Sequence, residues 1–320
     1  MNKIILIIGF PGAGKSSLVK LFTDQGYTNL NRDTFKGTLL DFNAAVENVA
    51  KGLYHTPMII DNTYPSIESR KEVIRIAKTN GYEIECHWLK TTLEQAQVNV
   101  VRRMINITGT LLDPKGMIDY KHPNVYGPAV QYKYKKEFQK PTLAEGFDKV
   151  VEVPFVKNPL GPEYKNKAII VDYDGTLRKT KSGNKFPVEI NDIEILPNRK
   201  EVLQKYLDKG YLLLGVSNQS GVAKKLLTHE RAIECFEETN RLLGLSIDYH
   251  FCPHSVPPII CYCRKPLPGL GVLLIEKYKL NPDECIFIGD MTSDKTFAER
   301  SSFKFALARK LFEHKKTVRN

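Results

Sequence analysis

Short, largely apolar runs recur along the chain at Ile4–Ile8, Met58–Ile60, Ile84–Trp88, Ala168–Val171, Leu212–Val216 and Ile286–Ile288. Runs of this length and composition predict buried strands. Between most of them lie helix-like stretches such as Ser66–Thr79, Pro197–Lys209 and His229–Leu243. Strand and helix in alternation predict an α/β protein with doubly wound parallel sheets. The segment Val156–Lys167 is rich in turn formers and has no period, and a new buried strand follows it. It divides the chain into a first domain over 1–156, a linker over 157–166 and a second domain over 167–320. No internal repeat or low-complexity stretch is evident.

The 320 residues are enough for two domains that each bury a core. Hydrophobic content of 42% and charged content of 26% are ordinary for a globular chain. The basic start and the apolar run to Phe10 have the outward form of a signal peptide, but the run is short and leads into a glycine loop. No segment approaches the roughly 18 apolar residues needed to span a bilayer. The expectation is a soluble, intracellular protein with no membrane partner. Lys and Arg outnumber Asp and Glu by 21 to 16 over residues 1–160 and by 26 to 20 over 161–320, for a formal charge of +11. An excess shared by both halves suits a polyanion such as nucleic acid, and equally a basic protein that binds only small phosphates.

The first candidate chemistry is Gly9-Phe10-Pro11-Gly12-Ala13-Gly14-Lys15-Ser16, followed by Ser17, between a predicted strand and a helix-like stretch. This is the P-loop pattern. Gly9, Gly12 and Gly14 let backbone N–H groups wrap phosphates, and Lys15 neutralises the β- and γ-phosphates. Ser16 helps to hold Mg²⁺, and Ser17 completes the ATP-binding segment. The acceptor stays open, because such loops serve kinases, GTPases and motors alike. Asp33, in Asn31-Arg32-Asp33, is placed to take a proton from an acceptor hydroxyl. Asp61 ends an apolar strand and suits Mg²⁺ or the acceptor. Arg102, beside Arg103, offers a cationic lid over the transferring phosphate. Singly, Asp33 or Arg102 reads more readily as a surface charge.

The second candidate is Asp172-Tyr173-Asp174-Gly175-Thr176 at the end of the run Ala168–Val171. A carboxylate at a strand end can attack phosphorus as Asp172. A second one two residues on, Asp174, can protonate the leaving oxygen and later activate water. Ser217, at the head of Ser217-Asn218-Gln219-Ser220-Gly221, supplies a hydroxyl for phosphate. Lys265 supplies a cation, and Asp290 joins Asp172 and Asp174 in a Mg²⁺ site with Asp294 in support. The basic stretch Arg178–Lys185 either tracks a phosphate backbone or is a solvated flap. The basic carboxyl-terminal stretch from Ala308 reads as a terminal helix, a nucleic-acid arm or a solvated tail.

Six cysteines, at 86, 235, 252, 261, 263 and 285, do not form a disulfide framework. Cys252, His254, Cys261 and Cys263 match the donor set of a structural Zn²⁺ site, although the one-residue gaps differ from finger spacing and free thiols in a loop are the alternative.

Taken together, NRDT (31–34), IDNTYPSIESR (60–70), TTLEQAQVN (91–99) and KEFQKPTLAEGFDKVVEVPF (136–155) resemble the kinase domain of the polynucleotide kinase/phosphatase family. The DxDGT, SNQSG, CRKPLPG and GDMTSD motifs resemble the haloacid-dehalogenase-type phosphatases. The zinc loop is similar to that of heptose-bisphosphate and histidinol-phosphate phosphatases. The implied fold is an N-terminal P-loop kinase joined to a C-terminal haloacid-dehalogenase-like phosphatase, both α/β. The resemblance implies that Asp33 is the base for a 5′-hydroxyl, Arg102 a lid arginine and Arg264 a substrate-phosphate contact. It also implies ATP, Mg²⁺ and structural Zn²⁺, with DNA or RNA ends as substrates and a ligase as possible partner. Lys36 and Val98 stand where the bacteriophage version has further arginines. A fused small-molecule kinase and sugar- or metabolite-phosphate phosphatase, and a non-catalytic nucleic-acid-binding module, remain as alternatives.

Overall fold

The structure, a computed structural model, describes residues 2–35, 37–52 and 56–313. Lys36 and the basic residues 314–320 lie outside the described residues. The chain forms two compact units, Met1–Val100 with His122–Asn158, and Val101–Lys121 with Pro159–Asn320. The second unit thus takes up a segment from within the expected first domain. Two contacts account for this: Arg102 pairs with Glu276, and Leu111 packs on a core that includes Leu270 and Leu274. The expected linker is also partly fixed, since the Asn166 amide donates to the Lys279 carbonyl at 3.1 Å.

The first unit holds β1 (Lys3–Ile8), α1 (Lys15–Thr23), β2 (Thr28–Asn31), α2 (Leu39–Ala50), β3 (Met58–Asp61), α3 (Ile67–Thr79) and β4 (Glu83–Leu89). After these come α4 (Leu93–Thr108), which runs into the segment assigned to the second unit, α5 (Pro114–Asp119), which lies within that segment, and then α6 (Ala129–Glu137) and β5 (Lys149–Val153) of the first unit. The sheet is parallel, in the order β2-β3-β1-β4-β5. Alternation along β1 explains its unbroken apolar sequence. Ile4, Leu6 and Ile8 join a core with Phe42, Val46 and Val73, while Ile5 and Ile7 face the opposite layer with Val19 and Leu89. Arg70 is fully buried on α3 and forms a two-toothed ion pair with Glu145, at 2.7 and 2.9 Å. It also donates to the carbonyls of Tyr64 and Pro65, which fixes the loop after β3.

The second unit holds β6 (Ala168–Val171), β7 (Arg178–Thr180), β8 (Ile193–Ile195), α7 (Arg199–Leu207), β9 (Leu212–Asn218) and α8 (Ser220–Ala223). It continues with α9 (His229–Leu243), β10 (Asp248–Cys252), α10 (Gly269–Tyr278), β11 (Ile286–Gly289), α11 (Thr292–Arg300), β12 (Lys304–Leu307) and α12 (Ala308–Phe312). Its main sheet is parallel, β10-β9-β6-β11-β12, and β7 and β8 form a separate antiparallel ribbon. β6 is again central: Ile169 and Val171 enter one core, Ala168 and Ile170 the other. The start of the basic carboxyl-terminal stretch is a docked helix, with Phe312 buried beneath the Arg199 guanidinium at 4.6 Å. In both sheets the central strand has neighbours whose connections run in opposite directions, and this opens a crevice at the strands' carboxyl ends.

Candidate active sites

In the first unit the crevice lies where β1, β2 and β3 end. The P-loop leaves β1 at Gly9 and enters α1 at Lys15, after Gly12 and Gly14 at φ of 88° and 94°. A side chain on Gly12 would meet Val100 and the Ala96 carbonyl of α4. Three consecutive carbonyls of the loop are held by side chains from elsewhere. Gln131 Nε2 donates to the Pro11 carbonyl at 2.9 Å, Asn99 Nδ2 to Gly12 at 2.9 Å, and Thr91 Oγ1 to Ala13 at 2.8 Å. With its carbonyls anchored, the loop presents its N–H groups to an anion at the amino end of α1. Lys15 Nζ bonds the Phe10 carbonyl at 3.3 Å, while Ser16 and Ser17 are exposed. Thr91→Val is expected to weaken nucleotide binding at this loop roughly five- to tenfold, the loss of about one hydrogen bond. Titration with a nucleoside triphosphate, followed by calorimetry, checks this; an unchanged affinity would mean that the loop holds its shape unaided.

Asp61 faces this loop. Its register partners are Ile7 on β1 and Asn31 on β2. Burial holds its carboxyl above the usual carboxylate range, opposed by the Lys15 charge and reinforced by that of Asp33. Asn31 bridges the two carboxylate residues, donating to Asp61 Oδ2 at 2.8 Å and accepting from the Asp33 amide at 2.7 Å. Asp33 itself is exposed. Lys15, Asp61 and Asp33 therefore form one neighbourhood. Arg102 is engaged otherwise: its Nε bonds Glu276 of α10 at 2.8 Å.

In the second unit, Asp172 follows β6 and is buried. Lys265 Nζ bonds Asp172 Oδ1 at 2.6 Å, Asp294 Oδ1 at 2.8 Å and the Val216 carbonyl at 2.9 Å. The lysine backbone is clamped in turn by Asn218, which donates to its carbonyl and accepts from its amide, each at 3.0 Å. Burial, resisted by Lys265 and aided by Asp294 and Asp174, pushes Asp172 up to about 7. Burial disfavours the Lys265 cation, but Asp172 and Asp294 outweigh it and hold the lysine above its ordinary range. Burial and then Asp294 also raise Asp290.

Oxygens of Asp172, Asp290 and Asp294 lie within 4.8 Å of one another. Three carboxylates facing one lysine leave surplus negative charge, and a hard divalent cation such as Mg²⁺ fits that donor set. This grouping differs from the ligand set read from the sequence. The Asp174 side chain turns to Arg178 Nε, at 2.8 Å, and Gln219 Nε2, also at 2.8 Å. Asp294 has a further duty, because its Oδ2 accepts from the amides of Asp290 and Met291 at 3.2 and 3.0 Å. Ser217 is buried at the end of β9 and accepts from Gln219 at 3.0 Å. Three cations of the basic stretch Arg178–Lys185 have partners within the protein. Arg178 is 1% exposed, Lys179 pairs with Glu194, and Lys181 bonds the Asn191 carbonyl.

The structure also gathers Cys252, His254, Cys261 and Cys263, whose donor atoms all lie within 4.8 Å of one another. Cys252 Sγ is 3.7 Å from Cys261 Sγ and 3.5 Å from His254 Nδ1, and Cys263 Sγ is 3.3 Å from that nitrogen. Those are near the edges of a tetrahedron with metal–sulfur bonds of about 2.3 Å. Three thiols this close cannot all ionise without a cation between them, so the cluster fits Zn²⁺. Arg264 Nη1 closes the loop onto the His254 carbonyl at 3.1 Å.

A family model described as an AAA domain matches residues 4–108, and one described as polynucleotide kinase 3 phosphatase matches residues 167–316. A bifunctional polynucleotide phosphatase/kinase of Schizosaccharomyces pombe is 36% identical over 156 residues, which are 48% of this chain and 34% of the relative. The chain thus spans about a third of that relative's length. A protein described as a probable D-glycero-D-manno-heptose-1,7-bisphosphate 7-phosphatase of Thermoplasma volcanium is 34% identical over 148 residues, 45% of this chain and 99% of the relative. Among solved structures, a chain of the Pnkp1/Rnl/Hen1 RNA repair complex aligns over 95% of both chains, at 15% identity and a TM-score of 0.31.

Proposed function

We propose that the chain, similar in its two parts to an AAA domain and to polynucleotide kinase 3 phosphatase, acts as a polynucleotide kinase/phosphatase that repairs nucleic-acid ends, phosphorylating 5′-hydroxyls with ATP and hydrolysing 3′-phosphates. The observation that carries the reading is that one chain holds two separate groups suited to phosphoryl transfer, the anchored P-loop with Lys15 and the carboxylates gathered around Lys265. In the first, the anchored P-loop and Lys15 hold the β- and γ-phosphates, and Asp33 takes the proton of the attacking hydroxyl. Asp61 lies between them, and bound Mg²⁺ would neutralise charge developing on the phosphates. Arg102 is a lid residue only if it can leave Glu276.

In the second site Asp172 attacks phosphorus while Lys265 restrains the charge on nucleophile and phosphate. Asp174 protonates the leaving oxygen and afterwards deprotonates water. Mg²⁺ held by Asp172 and Asp290 would offset repulsion between carboxylate and phosphate. The Zn²⁺ cluster is structural, and the Ser217 hydroxyl is a phosphate contact that must exchange its bond from Gln219. The products, a 5′-phosphate and a 3′-hydroxyl, are the ends that a ligase joins, which makes a ligase the natural partner.

A second reading has its own support. The near full-length match to a heptose-bisphosphate phosphatase favours a small phosphate ester as substrate of the second site. An oligonucleotide with a 5′-hydroxyl and a 3′-phosphate separates the two. With ATP and Mg²⁺, wild type should change both ends, Lys15→Ala only the 3′ end and Asp172→Asn only the 5′ end. A wild type that leaves the 3′-phosphate intact while hydrolysing a sugar phosphate would transfer the second site to metabolite chemistry.

A further inference from the structure

Both carboxylate oxygens of Asp174 are occupied by donors that the reaction itself does not require. Arg178 Nε donates to Oδ1 and Gln219 Nε2 to Oδ2, each at 2.8 Å. Both donors are buried, at 1% and 3% exposure. Each is tied down in turn. The second arm of Arg178 donates to the Cys235 carbonyl and to Thr239 Oγ1 of α9. Its guanidinium carbon lies 5.4 Å from the Tyr173 ring centre and 5.0 Å from that of Phe236. Gln219 Nε2 also donates to Ser217, and its backbone amide donates to the Cys252 carbonyl at 2.8 Å. A buried cation is costly to desolvate, and here its carboxylate partner is the acid–base group of the site.

We infer that Arg178 and Gln219 are positioning residues that fix the plane of the Asp174 carboxyl group so that its proton meets the leaving oxygen. The inference rests on the phosphatase reading of this site. In the first half-reaction an Asp172 oxygen bonds to phosphorus, the bond from phosphorus to the alcohol oxygen breaks, and the Asp174 proton passes to that oxygen. In the second, water bonds to phosphorus, its proton passes to Asp174, and the bond from phosphorus to Asp172 breaks, releasing phosphate. A clamp gripping both oxygens sets the angle of each proton transfer, and small errors in such angles cost large factors in rate.

The test compares Gln219→Met, Arg178→Lys and Asp174→Asn with wild type in the full chain with Mg²⁺. Phenyl phosphate and 2,4-dinitrophenyl phosphate are the two substrates. The kcat/KM value reports events up to departure of the alcohol. Phenolate needs a proton to leave well, and dinitrophenolate does not. The ratio of kcat/KM for the dinitrophenyl ester to that for the phenyl ester should rise at least about tenfold in the glutamine and arginine variants, toward the Asp174→Asn ratio. Equal losses on both esters, while Asp174→Asn shifts the ratio, would overturn the inference by reducing both residues to packing. An unchanged ratio in Asp174→Asn would instead overturn the acid role beneath it, and the inference with it. Gln219→Met removes no charge and is expected to fold, so misfolding of the arginine variant leaves the test intact.

Discussion

Asp172→Asn is expected to lower phosphatase turnover by at least about 10⁴-fold, because an amide oxygen does not form the covalent phosphoenzyme. The kinase rate should be unaffected. Folding should survive, since Lys265 keeps Asp294 at 2.8 Å as a counter-charge when the Asp172 charge is removed. Stability should in fact increase. The folded-state pKa of Asp172 is raised, to about 7, so the carboxylate's contribution to stability falls as pH climbs from its unfolded value through 7. In magnesium-free buffer at pH 8 the variant should therefore unfold at a higher temperature than wild type, an active-site cost exchanged for stability. Single-turnover phosphate release and thermal unfolding at that pH check the two halves. Residual turnover near the wild-type rate would remove Asp172 as the nucleophile.

The second large effect concerns the thiol cluster. Cys261→Ser, or chelation of the wild type, is expected to lower the unfolding midpoint of the second unit by more than about 10 °C, corresponding to several kcal/mol. Phosphatase activity should go with it. Cys252 closes β10 opposite Asn218 in register, and Asn218 grips the Lys265 backbone from both sides. Lys265 is also only two residues beyond Cys263. A loop released by metal loss would loosen the lysine that bonds Asp172, whereas ATP-dependent phosphorylation should persist. Metal analysis should find about one zinc per chain. Zinc-free protein with an unchanged midpoint would reduce the cluster to free cysteines.

The parts of both sites that the sequence displayed are those with local spacing. The central strands β1 and β6 each face two cores and so are continuously apolar. The P-loop and DxDGT residues are contiguous because a single turn must present them together. The edge strands escaped notice for the converse reason. Thr28–Asn31 and Lys304–Leu307 contain no fully covered run, since an edge is partly open. Long-range support left no pattern at all. Thr91, Asn99 and Gln131 reach the P-loop from 78, 87 and 120 residues away. Arg178 was the most misleading residue. Among lysines it looks like a surface cation, yet it is buried on Asp174, and no sequence period distinguishes the two situations. Arg102 gave the same difficulty, because a helix pattern does not reveal what lies opposite.

Both sheets place a proposed phosphate-handling group after a central strand and a second candidate group at one edge. The P-loop follows β1 and Asp172 follows β6, each hydrogen-bonded to strands on both sides. Asn31 ends the edge strand β2 with Arg32 and Asp33 after it, and Cys252 ends the edge strand β10 with the rest of the thiol loop after it. Opening a centre strand breaks two ladders, and opening an edge breaks one. Sequence drift at an edge can therefore alter which alcohol is accepted, or which ester is admitted, at the expense of local fraying alone. The similarity of residues 167–316 to a polynucleotide kinase 3 phosphatase model, and of much of the same half to a heptose-bisphosphate phosphatase, is what such a division of labour would allow.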